Sequence, residues 1–205
     1  MKRLYKYLRT GLKSNSGNTA WKISKWEHEE KLDMCNQGFH ASKTPLQALG
    51  YVAGEVLAIV EVKGKSIKED DKECWSDMRI VKAYHWKKAD SVALSIYAAE
   101  LVIENYEKKY SNDTRPRDAI EAAKKVLADD TEENRSAARS AARSAASAAA
   151  RSAARSAASA AWSAEWSAAS AAWSAASAAE SAKKKLIASL DKWFLKRIKM
   201  LEPYE

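Results

Sequence analysis

The chain has 205 residues with 35 Lys and Arg, 27 Asp and Glu, and a formal net charge of +8. Its length suits one or two domains, but much of its 46% hydrophobic content is alanine from a low-complexity stretch. Residues 1–134 hold 23 basic and 22 acidic side chains and residues 135–205 hold 12 and 5, so the basic character belongs to the last third. A strongly cationic globular head is thereby excluded.

Cys35 and Cys74 are too few and too far apart for a disulfide framework or a thiolate metal site, and they fit a reducing compartment. The opening Met1–Arg9 has no apolar signal-peptide core, and no run of about twenty apolar residues exists for a membrane span. The expected location is the cytoplasm. His28, His40 and His85 are scattered and form no metal set.

The pattern predicts an α+β chain. Residues 1–88 read as a β-rich head. Leu4–Leu8 and Ala20–Trp26 alternate in the manner of strands and are separated by a turn-forming Ser/Asn/Gly cluster. Thr44-Pro45 places an N-cap and a first-turn proline before a short helix reaching Tyr51. Val56–Val62 is the strongest strand, closed by Gly64. A charged loop, Lys65–Lys72, leads to a strand over Met78–Trp86.

Residues 89–130 change period to three and four, which predicts two connecting helices, Val92–Tyr106 and Arg117–Leu127. Thr114 or Asp113 caps the second. Thr131, followed by Glu132 and Glu133, then starts a third helix where acids suit the N-terminal dipole.

Residues 131–182 form the repeat. From Arg151 its phrases recur every eleven residues: Ser152, Ser163 and Ser174 share one spacing, and Trp162 and Trp173 another. Eleven residues over three turns lie close to the pitch of a straight helix. With no Gly, Pro or β-branched residue from Arg135 to Lys185, one long helix is expected. Small side chains let such a helix approach a neighbour closely, and Trp162, Trp166 and Trp173 are the candidate oligomerisation residues. A homo-oligomer is the expected state; folding back on the chain's own body is the alternative. Arg135, Arg139, Arg143, Arg151 and Arg155 draw a basic line that reads as a solvated face, and nucleic acid is not an expected partner. Residues 183–205 form a basic amphipathic tail helix, with Leu186, Leu190, Trp193, Phe194, Ile198 and Leu201 on one side.

The densest non-repetitive signal is Cys35-x-x-Gly38-Phe39-His40-Ala41-Ser42, then Ala48-Leu49-x-Tyr51, Gly54 and Val60-Glu61-Val62-x-Gly64. It resembles an uncharacterised domain family common in phage and prophage genomes, whose members often carry Ala-rich tails. The same order of elements is similar to the core of ADP-ribosyltransferases. That likeness implies an NAD-using pocket around His40, Ser42 and Tyr51, with Glu61 or Glu73 as the candidate acid. The Ala-rich repeat also resembles the helical antifreeze proteins of fish.

The reading that emerges is a non-enzymatic, phage-type accessory protein. It self-associates through its Ala/Ser-rich helix and acts as an oligomeric binding or sequestering protein. Its partner would be a host protein, such as a defence factor, or a small nucleotide-derived ligand held near His40, Ser42 and Tyr51. No cofactor, metal or catalytic residue is implied. An ADP-ribosyltransferase-like enzyme and an ice-binding or purely structural helix protein are the alternatives.

Overall fold

The computed structural model describes residues 1–15, 20–52, 54–163 and 168–204, with the backbone alone for residues 148–179. It is an α+β chain of two units, one made of Met1–Lys88 with Leu190–Glu205 and the other of Ala89–Ser189.

The first unit is built on antiparallel strands β1 (Lys2–Leu8), β2 (Glu27–His28), β3 (Phe39–Ala41), β4 (Val56–Lys68) and β5 (Glu73–His85). The sheet order is β1-β4-β5-β2, and β3 shares the outer edge of β5 with β2. β1 runs against β4 in unbroken register from Lys2 opposite Val62 to Leu8 opposite Val56. On the far side of β1, Tyr5 and Ser42 exchange two backbone hydrogen bonds of 2.9 Å. These tie the residue after β3 back to the free edge of β1.

Alternation decides which residues fill the core. Leu4 and Leu8 share one face of β1, and Val56, Ala58, Val60 and Val62 share the matching face of β4. With Met78, Ile80 and Ala83 of β5, and Leu12, Trp21 and Ala41 from the connecting segments, they make the main core. The other face of the central strands is also covered, as the complete burial of Leu57 requires. There Tyr7 meets Trp86 edge-on at 5.7 Å, and Trp86 stacks on Phe194 at 5.3 Å. Phe194 comes from the C-terminal end of α5 (Ala168–Ile198). Beyond that helix, Tyr204 donates its amide to the Ala83 carbonyl at 2.9 Å.

Two local expectations are corrected. Ala20–Trp26 does not form a strand: it makes only isolated bridges at Ala20 and Ile23, because Ser24 takes a left-handed φ of 66° that breaks the extended run. Lys65–Lys72 is not a loop. Gly64, at φ 80°, sits in a bulge between Lys63 and Ser66 that lets pairing resume, so β4 reaches Lys68 and only residues 69–72 turn.

α1 (Pro45–Tyr51) follows β3. It begins in a full capping box: the Thr44 hydroxyl accepts from the Gln47 amide, and the Gln47 side chain accepts from the Thr44 amide, both at 3.2 Å.

The second unit contains α2 (Lys88–Lys109), α3 (Arg115–Ala128) and α4 (Glu132–Ser163). Ile96 and Ile103 of α2 bury against Ile120 of α3, flanked by Ala99 and Ala123. Arg117–Glu107 and Lys124–Glu100 ion pairs, at 2.7 and 2.9 Å, tie the two helices together. Thr114 adopts helical φ/ψ with no side-chain cap bond; Asp113 takes the Arg115 amide instead, at 3.2 Å, together with its guanidinium. α4 packs on α3 through its first turns, so part of the repeat already has a partner within the chain. α5 passes from the repeat into the tail sequence without a break at residue 182.

Candidate functional site

A cavity of about 400 Å³ opens where β1, the segment 35–42 and the end of α1 converge. That volume lies within the range of small-molecule sites. His40, Ser42 and Tyr51 all line it, so the fold brings the three expected residues together. Their roles differ.

His40 is turned inward to hold its own loop. Its Nε2 accepts the Cys35 amide at 3.0 Å. A ring that accepts at Nε2 carries its proton on Nδ1, which makes the neutral tautomer the one consistent with this bond. Desolvation lowers its pKa below the ordinary 6.5, and the nearby Lys6 and Lys72 ammonium groups lower it further. The imidazole thus shapes the cavity wall, with Nε2 committed to the Cys35 amide.

Gly38 shows why the loop takes this path. Its φ of 96° is left-handed, and a Cβ there would lie 2.5 Å from Cys74 Sγ and 2.7 Å from Leu32 Cδ2. Ser42 is buried, and its backbone is committed to Tyr5. Tyr51 is exposed at 47% and stands at the mouth, where the nearby Asp71 carboxylate raises its pKa.

The charged groups of the cavity are Lys6, Lys72 and Glu29. Lys6 Nζ donates to the His40 carbonyl at 2.9 Å and lies 5.9 Å from the Trp21 ring centre. The residue as a whole is half-buried, but protein surrounds its ammonium closely enough that desolvation brings the pKa from 10.5 down to about 8. Among the described residues no carboxylate pairs with it. Lys72 is the opposite case. It donates to Cys35 Sγ at 3.0 Å, pairs with Glu69 at 3.2 Å, and sits 5.1 Å from the Tyr51 ring centre. The Cys35 and Glu69 contacts raise its pKa, so it stays charged. Trp21 and Phe39, edge to face at 5.1 Å, supply the aromatic wall.

The cavity therefore offers two cations and aromatic surface against one carboxylate. Sequence reasoning missed both lysines. The available signal was parity: Lys6 shares the inward face of Leu4 and Leu8, where an aliphatic residue is the ordinary occupant.

Glu61 and Glu73 lie elsewhere. Arg79 at 2.6 Å and Arg3 at 3.3 Å hold Glu61 and lower its pKa. Glu73 is fully buried; desolvation opposes its charge, but hydrogen bonds from Lys2 and from Trp75 Nε1 outweigh that and lower its pKa. Neither reaches the cavity.

On the repeat, Arg135 pairs with Glu132 and Asp130, and Arg139 with Glu132. Arg143 is exposed. The side chains of Arg151, Arg155, Trp162 and Trp173, and the whole of Trp166, lie outside the described residues. Among the described residues there is no cluster of His, Cys, Asp and Glu that could hold a metal, and no helix long and apolar enough to cross a membrane.

Residues 2–91 match a family model described as a domain of unknown function (DUF7666). The match takes in the five strands, α1 and the whole cavity lining. No curated protein and no solved structure matches the chain.

Proposed function

We propose that the chain is a non-enzymatic accessory protein of phage type, whose head binds and sequesters a small anionic ligand carrying an aromatic or heterocyclic ring. A nucleotide-derived signal of the host is the class that fits. The observation that carries this reading is Lys6: a largely desolvated ammonium that faces a cavity and pairs with no carboxylate among the described residues. A buried charge without a partner is costly, and an incoming anion removes that cost. Lys72 adds a permanently charged anchor, and Trp21, Phe39 and Tyr51 supply ring surface.

The Ala/Ser-rich helix brings copies together in this reading, and several heads on one assembly raise avidity without new contacts. Its first turns are used by α3, so self-association falls to the later repeat that carries Trp162, Trp166 and Trp173.

The test has two parts. Small molecules released from purified protein by denaturation are identified by mass spectrometry; a phosphorylated, ring-bearing compound at near-stoichiometric amount is the expected result. Light scattering on the intact chain should give a mass well above 22.7 kDa, and replacing the three tryptophans together should lower it. A monomer with nothing bound at any concentration contradicts the reading.

A further inference from the structure

Two lysines face one cavity with opposite chemistry, and that contrast narrows the ligand further. Lys72 is fixed by Cys35 Sγ, Glu69 and the Tyr51 ring and remains an ammonium. It can hold an anion and cannot act as a nucleophile. Lys6 makes one hydrogen bond, to the His40 carbonyl, and has no acidic partner among the described residues. Both lysines line the same cavity, so one ligand that spans it can reach both. Beside Lys6 stands Trp21, whose indole nitrogen is committed to Ser14 at 2.8 Å and which therefore presents only ring surface to a guest.

We propose that Lys6 forms an imine with the carbonyl of an anionic aromatic or heterocyclic aldehyde seated in this cavity, its phosphate or carboxylate on Lys72 and its ring against Trp21 and Phe39. The proposal rests on the anion-binding reading above and deepens it by naming the reactive group.

The step balances without any redox partner. The neutral Lys6 amine adds through its lone pair to the carbonyl carbon. The two amine hydrogens move to the carbonyl oxygen, a C=N bond replaces C=O, and one water leaves. His40 Nε2 is committed to the Cys35 amide, so water carries these protons. Ligand capture is thereby reversible and covalent, which suits sequestration because it slows release without consuming the ligand. The lowered pKa of Lys6 supports the assignment, since a useful fraction of the amine is neutral near pH 8.

The probe is pyridoxal 5′-phosphate, a phosphorylated heterocyclic aldehyde. It is added below stoichiometry to the full-length chain at pH 8 and fixed with borohydride, and the labelled peptides are mapped by mass spectrometry. The expected result is a single adduct on Lys6, formed about tenfold or more faster than on any other lysine, and lost in Lys6→Arg. Pyridoxine 5′-phosphate, which lacks the carbonyl, should bind without an adduct and slow the labelling. If pyridoxine 5′-phosphate binds and protects but the aldehyde leaves no label on Lys6, the imine is overturned and the anion site survives. If neither compound binds, the anion-binding reading itself fails. Labelling spread over surface lysines overturns the proposal even where Lys6 carries a share, and because the mapping is done on the natural chain it does not depend on a variant folding.

Discussion

The Cys35 amide donates to His40 Nε2 at 3.0 Å, and this bond makes an expected ligand residue into a strut of the cavity wall. His40→Phe keeps the ring and removes the acceptor. Because the amide is near solvent, water replaces part of the loss, and a cost of about 1 kcal/mol is expected. Denaturant titration measures it, and proteolysis within residues 35–38 should quicken.

His40 also predicts an acid response. Its folded pKa lies below 6.5, so above that value folded and unfolded chains are alike in bearing it neutral. As pH falls, the unfolded chain takes up the proton first, and the stability due to the neutral ring is lost as pH passes through the folded pKa. His40→Phe should flatten this part of the stability-against-pH curve; an unchanged slope would refute the assignment.

Lys6 acts in the opposite range. With a folded pKa of about 8 against 10.5 unfolded, the unfolded chain holds more protons between those values, so stability rises with pH across that window. Below it the penalty of the desolvated ammonium is fully present, at most about 3 kcal/mol. Lys6→Met should therefore stabilise the chain at pH 7 by about 1–3 kcal/mol and abolish the rise, while weakening anion binding. Thermal melts from pH 7 to 10.5 read the effect, and destabilisation at pH 7 would contradict it.

Phe194 is fully buried and stacks on Trp86, which makes the end of α5 part of the head. Phe194→Ala should cost about 3–5 kcal/mol. Ending the chain at Ser189 should be worse, since it also removes the Tyr204–Ala83 hydrogen bond and uncovers Leu57 and Tyr7. Calorimetry of the truncated chain would show a lost or strongly lowered transition; an unaltered melting temperature would show that the tail is dispensable to the head.

Much of this fold was legible in the chain. Alternation marked β1 and the start of β4, Thr44-Pro45 marked α1 to the residue, and the repeat marked helix up to Ser163 and from Ala168. The expected single helix runs through residues 164–167, which lie outside the described residues. What escaped was whatever depends on residues far apart in sequence. Trp86 and Phe194 are separated by more than a hundred positions, and no local period announces that they stack. The cavity was half legible: Phe39 and Tyr51 stood out within a dense motif, whereas Lys72 lay in an apparent loop that Gly64 turns into a hairpin. Lys6 was visible as a lysine on the Leu4–Leu8 face, but only its surroundings show that the charge has no counter-ion among the described residues.

The central claim is that Lys6 and Lys72 together hold an anion. It is tested most directly by calorimetric titration of the full-length protein with AMP and with adenosine at pH 7, repeated with AMP at pH 9. AMP should bind at least about tenfold more tightly than adenosine, weaken at pH 9 as Lys6 loses its proton while Lys72 keeps its own, and lose most of its affinity in Lys72→Met. Equal affinity for the two compounds, or AMP binding that neither pH nor the Lys72 substitution alters, would contradict the account.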